Sequence, residues 1–112
     1  MYLRIYWSRI VPGAWPAIEE RYRNLATTEA PGRLVRWVTQ DTNDPESVIT
    51  VTLWESREAI QAWETSPRYL AALASMKPFM VGSQTVSLCK VAIEHPEGLL
   101  TQIAAASRKL TS

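Results

Sequence analysis

The sequence predicts an α+β fold, the split β-α-β-β-α-β arrangement with a four-stranded antiparallel sheet and helices on one face, and three observations carry this. Runs of aromatic and β-branched residues alternating with period two occupy residues 2 to 11 and 84 to 93. Two further strand patterns, Leu34 to Gln40 and Ser47 to Trp54, flank the polar turn Asp41-Thr42-Asn43-Asp44-Pro45. Helical periodicity follows the first and third strands, so helices separate the outer strands from the central hairpin.

Along the first strand, alternation puts Leu3, Ile5, Trp7, Arg9 and Val11 on one face and Tyr2, Arg4, Tyr6, Ser8 and Ile10 on the other. Both faces carry bulky residues, so neither is freely solvated. Pro12-Gly13 ends the strand, and Trp15, Ile18, Tyr22, Leu25 and Ala26 then recur at helical spacing, which predicts a helix over about 14 to 29, stopped by Pro31-Gly32. After the hairpin, Ser56 is placed to cap a helix over 57 to about 65, with Glu58 near its positive end. Ser66-Pro67 opens a second helix to about 77, proline being tolerated in the first turn, and Tyr69, Leu70, Leu73, Ala74 and Met76 form its apolar side. Pro78 and Gly82 release the chain into the fourth strand. This domain spans 1 to 95; the tail, 96 to 112, predicts at most a short helix through Leu99, Leu100, Ile103, Ala104 and Leu110, docked on the domain or on a partner.

No strand has a consistently charged side, and a sheet covered by helices on one face needs its other apolar face covered too. A second copy of the chain is the expected cover, which makes a homodimer through sheet-face packing. The alternative is that Trp7, Trp37, Val51 and Leu88 fill a monomeric core or line a groove.

Composition removes several classes. Twelve Lys and Arg against eleven Asp and Glu in 112 residues leave no basic field for nucleic acid. The amino terminus enters a strand pattern without a secretory leader and no run is long enough to span a membrane, so a cytoplasmic location is expected. Cys89, in an alternating apolar run, predicts a core or interface thiol. Gly-rich phosphate loops, CxxC pairs and a His-x-x-x-His pair are missing, and His95 alone in the tail cannot complete a Ser-His-Asp set. Asp41 and Asp44 suit a turn, and Glu55 and Glu58 suit a helix start.

The strand ending at Trp54, followed by Glu55-Ser56, Ala59, Trp63, Ser66-Pro67 and Tyr69, with Pro12-Gly13 before the first helix, resembles the antibiotic biosynthesis monooxygenase family over about residues 2 to 93. The resemblance implies a dimeric α/β barrel of ferredoxin-like subunits. Members include enzymes that oxidise quinols or polycyclic aromatic intermediates with dioxygen and no bound cofactor, haem-degrading enzymes, and relatives without established activity. Of the three residues that matter in the haem-degrading branch, only the tryptophan is matched, by Trp63; Tyr6 stands at the asparagine position and Leu73 near the axial histidine position. Leucine cannot ligate iron, so haem chemistry is disfavoured and no cofactor is expected.

Cofactor-free oxygenation needs an electron-rich substrate anion held in a dry chamber beside groups that orient it and stabilise its charge. Tyr6, Trp63, Tyr69 and Arg36 are the catalytic candidates, and Trp7, Arg9, Trp37, Leu73, Met76 and Phe79 the substrate-binding ones. The competing expectation is a non-catalytic ligand-binding or structural homodimer. A chamber of roughly 300 Å³ or more with convergent polar groups would favour catalysis or ligand binding. One filled by Trp63, Phe79 and Met76 would favour the structural reading.

Overall fold

The computed structural model of the chain describes residues 1–26 and 30–111. Its elements are β1 (Tyr2–Ile10), α1 (Trp15–Ala26), β2 (Arg33–Gln40), β3 (Ser47–Trp54), α2 (Arg57–Glu64), α3 (Pro67–Met76), a 3-10 turn (Lys77–Phe79), β4 (Met80–Lys90) and α4 (Leu99–Thr111). The strands form one sheet in the order β2-β3-β1-β4, every neighbouring pair antiparallel. This is the predicted β-α-β-β-α-β topology. The part of the first predicted helix at residues 27 to 29 lies outside the described residues.

The caps form as the sequence indicates. The Ser56 Oγ accepts from the Ala59 N–H at 3.1 Å, and the Ser66 Oγ accepts from the Tyr69 N–H at 3.2 Å, with Pro67 in the first turn of α3. Gly32 has φ +86°, and a Cβ there would stand 2.6 Å from the Ala59 Cβ, so glycine lets the start of β2 close onto α2. Its carbonyl accepts from the Glu55 N–H at 2.8 Å, joining the two segments. In the hairpin turn the Asp41 Oδ1 accepts from the Asn43 and Asp44 N–H groups.

β4 corrects the sequence reading, beginning at Met80 and ending at Lys90 instead of running from 84 to 93. Pro78 is absorbed in the 3-10 turn, and Gly82, at φ +69°, lies inside the strand where its register against β1 shifts between Trp7 and Arg9. Glycine therefore marks a bulge, not the end of a loop. At the far end the Val91 N–H donates to the Met1 carbonyl at 3.1 Å, just past the end of the strand. The tail forms α4, which packs against β2 with Ala104 buried and the Ser107 Oγ donating to the Leu34 carbonyl at 2.7 Å. An Arg108–Glu55 ion pair adds to this docking.

Register assigns the faces. Arg4, Tyr6, Ser8 and Ile10 of β1, Val48, Thr50, Thr52 and Trp54 of β3, and Arg36 and Val38 of β2 look toward the helices. Two apolar clusters hold that side: Ile10, Ala14, Ile18, Val48 and Met76 at one end, and Ala30, Trp54, Ile60 and Trp63 at the other. On the open face Trp37, Val51 and Ile5 form one row across three strands, with Trp7 and Ile49 beside it. Trp7 and Trp37 are 44% and 49% exposed there. Leu88 stands opposite Arg4, so it belongs to the helix side and not to this row.

Candidate functional site

Between the two apolar clusters the inward face of the sheet is polar. Thr50 and Thr52 interrupt the run from Val48 to Trp54, Arg4, Tyr6 and Ser8 precede Ile10, and Arg36 stands opposite Thr52 on β2. Strand alternation brings these groups to one level, and α1, α2 and α3 roof them with Tyr22, Trp63, Tyr69, Leu73 and Met76. The half-open inner cavity between them measures about 40 Å³, enough for one small molecule the size of water.

Buried polar groups must find partners, and most here do. The Arg4 guanidinium, only 6% exposed, donates through Nε to the Glu64 carboxylate at 3.0 Å and through Nη2 to the Tyr69 hydroxyl at 2.7 Å. It also lies over the Tyr6 and Tyr69 rings. The Thr50 hydroxyl donates to the Tyr22 hydroxyl at 3.0 Å, and the Trp54 indole N–H donates to Thr52 at 2.7 Å. Burial pushes the Tyr6 phenol up to about 12, with the neighbouring Tyr69 adding to the shift, and burial also raises Tyr22. Both phenols are therefore neutral hydrogen-bonding groups at neutral pH.

Arg36 is the exception. Its Nη1 nitrogen is buried and meets no hydrogen-bond acceptor among the described residues. Burial pushes its pKa down, and the guanidinium lies 5.9 Å from the Trp63 ring centre, with that of Arg33 at 5.5 Å from the same ring. Arg33 is lowered to about 10 by burial and by the like charge of Arg36. Two cations share one indole.

Arg36 and Tyr22 also line a second space, a groove of about 440 Å³ between α1 and β2. Trp15, Val35 and Val38 form its apolar walls, and Glu19, Arg23 and Arg33 its charged rim. The groove, and not the inner cavity, has the volume of a small-molecule site. Among the described residues no group of three or more His, Cys, Asp and Glu is placed to hold a metal ion, and no helix is long and apolar enough to cross a membrane.

Of the residues singled out in the sequence, Tyr6, Trp63, Tyr69, Arg36, Leu73 and Met76 meet around the inner cavity. Trp7, Arg9 and Trp37 do not, because β1 and β2 turn them to the open face, where Arg9 pairs with Asp44. Phe79 packs outside the cavity beside the Ile10 cluster, with the Arg21 guanidinium 4.5 Å from its ring centre. The expected single chamber walled by Trp7, Trp37, Trp63, Phe79 and Met76 is thus replaced by a small inner void and an outer groove. Sequence reasoning missed Arg4, Tyr22, Arg33, Thr50 and Thr52. For Arg4, Thr50 and Thr52 the signal was a break of polar residues at period two along an otherwise apolar inward face.

A family model described as antibiotic biosynthesis monooxygenase matches residues 1–75. Similar solved structures include an antibiotic biosynthesis monooxygenase with 21% identity and a TM-score of 0.73, covering 83% of this chain and 100% of that one. A variant of SnoaB, a cofactor-independent oxygenase from Streptomyces nogalater, has 15% identity and a TM-score of 0.73, covering 86% and 98% of the two chains. Rv0793 from Mycobacterium tuberculosis has 17% identity and a TM-score of 0.72, covering 84% and 97%. At these identities the likeness establishes a common fold. No curated protein sequence matches the chain.

Proposed function

Because this chain belongs to the antibiotic biosynthesis monooxygenase family, we propose that it is a monooxygenase that oxidises a small aromatic or quinol-like substrate with dioxygen and without a bound cofactor. The single observation that carries this reading is Arg36, a half-buried guanidinium whose buried Nη1 is unengaged, at the junction of the groove and the inner cavity. A substrate ring seated in the groove would present its oxygen to that N–H. The positive charge favours the phenolate or enolate form, and the proton leaves through the groove mouth to solvent.

Ground-state dioxygen accepts electrons singly, so the anion first gives it one electron. The substrate radical and superoxide then combine at carbon. The peroxide anion takes back one proton from solvent, and for a substrate with a ring methylene loss of water then leaves a carbonyl: one oxygen atom stays on carbon, and the other leaves as water with the remaining carbon-bound hydrogen and the returned proton. The inner cavity, about 40 Å³, matches a dioxygen molecule better than a ring, and the neutral phenols of Tyr6 and Tyr22 supply hydrogen bonds at its edge.

Dioxygen consumption by metal-free protein with a panel of hydroquinones and anthrones tests the reading. Uptake above the protein-free rate is expected for at least one member. Thermal stabilisation without uptake would instead support a non-catalytic ligand-binding protein.

The open face supports a homodimer of the dimeric α/β barrel type. The Trp37, Val51 and Ile5 row with Trp7 beside it forms an apolar surface that a second copy would remove from water. Sedimentation should give a dimer at micromolar concentration and a monomer for the Trp7→Glu, Trp37→Glu double variant. A native chain that sediments as a monomer would overturn this assembly.

A further inference from the structure

We propose that Ser107 of α4 is a positioning residue for the groove: through the Leu34 carbonyl it holds a bulge in β2 that turns Arg33 to the helix side, over Trp63 and beside Arg36. This deepens the oxygenase reading by adding a residue that acts on its site. It rests on that reading for the effect on turnover, though not for the geometry.

Residues 33 and 36 are an odd number apart, so strict strand alternation would turn them to opposite faces. Yet both guanidinium groups lie over the Trp63 ring, at 5.5 and 5.9 Å from its centre, and both residues line the groove. The register explains this. Counting back from the hairpin, Arg36 meets Thr52 and Val35 meets Leu53, so an unbroken ladder would put Leu34 opposite Trp54 and Arg33 on the open face. Instead Arg33 stands opposite Trp54, and Leu34 is an extra residue. Such a bulge bends its strand and re-aims the side chain beyond it. Arg33 thereby walls the groove and shares the Trp63 face with Arg36, which limits where the Arg36 guanidinium can lie.

A residue left out of the ladder must satisfy its backbone elsewhere. The Leu34 carbonyl accepts from the Ser107 Oγ at 2.7 Å. Ala104, one turn earlier on the same side of α4, is 2% exposed, so the helix is packed where this bond forms. Arg108 pairs with Glu55, whose N–H donates to the Gly32 carbonyl at 2.8 Å, so α4 also reaches the chain just before the bulge. That ion pair is exposed and contributes little, whereas the Ser107 bond is partly buried and acts on the bulged residue itself. α4 lies beyond residues 1–75, so this hold comes from outside the segment that the family model matches.

Fluorine NMR of the full chain labelled with 5-fluorotryptophan tests the hold without turnover. It gives one signal for each of the five tryptophans, that of Trp63 being assigned from Trp63→Phe. Ser107→Ala is expected to shift the Trp63 signal and leave that of Trp7 in place, and Ser107→Thr, which keeps the hydroxyl, to retain the native spectrum. Arg33→Gln should shift the Trp63 signal in the native background and add nothing in Ser107→Ala, where Arg33 has already left the ring. An unmoved Trp63 signal in Ser107→Ala, an equal shift in Ser107→Thr, or an Arg33→Gln effect of the same size in both backgrounds would overturn the proposal. With a quinol that the native chain oxidises, Ser107→Ala should lower dioxygen uptake by about ten-fold and Ser107→Thr should not, since small displacements of an orienting group cost this much. Unchanged uptake in Ser107→Ala would overturn the positioning role. A shifted Trp63 signal together with no uptake by the native chain across the quinol panel would refute the oxygenase reading and leave the Ser107 hold on the bulge standing.

Discussion

Arg36→Gln is expected to lower the rate of dioxygen consumption by about 10²- to 10³-fold, the loss that follows removal of one preorganised donor to a developing oxyanion. The same substitution should leave thermal stability unchanged or raise it. Burial depresses the Arg36 pKa, so carrying the charge costs the folded state free energy at every pH below that depressed value, which includes neutrality. A neutral amide of similar reach lifts this cost. Lost activity with retained stability is the signature of a group kept for chemistry. Oxygen-electrode rates and differential scanning calorimetry on the same preparation measure the two quantities. A variant that loses stability in proportion to activity would show that Arg36 serves packing.

Trp63→Ala should destabilise the domain by about 3 to 5 kcal/mol, the range for deleting a large packed ring. The indole is 7% exposed, with ring centres of Trp54 and Tyr69 at 6.5 and 5.5 Å and two guanidinium groups over it. Small domains have total stabilities of about 5 to 15 kcal/mol, so the variant would stand near the edge of folding, with Tm lower by at least about 10 °C. Urea unfolding followed by circular dichroism gives the number directly. A loss nearer 1 kcal/mol would mean that the ring lines an open pocket and contributes little packing.

The architecture was largely legible because it depends on local chemistry. Ser56 and Ser66 each meet an orphan N–H within three residues, and the strand alternation of residues 2 to 10 follows from backbone geometry. The β4 boundary was not legible, since a glycine inside a bulged strand and one in a loop look alike until a partner strand is present. The candidate site was legible in part. Tyr6 and Trp7 are adjacent and chemically similar, yet alternation separates them by the thickness of the sheet, so no single chamber could hold both. Arg4 was overlooked because its partners, Glu64 and Tyr69, lie 60 and 65 residues away on other elements.

From its residues alone this chain specified a β-α-β-β-α-β unit, the positions of its caps, and which side chains share a strand face, because each depends on contacts within a few residues or on a fixed backbone period. Tertiary packing alone decided that the inner cavity is small, that the larger space lies between α1 and β2, and that Arg36 arrives there with a buried, unengaged N–H. Those features arise where α1, β2 and α2 converge. The charge and volume left over at such a junction are differences between large opposing terms of packing, and no single segment encodes them.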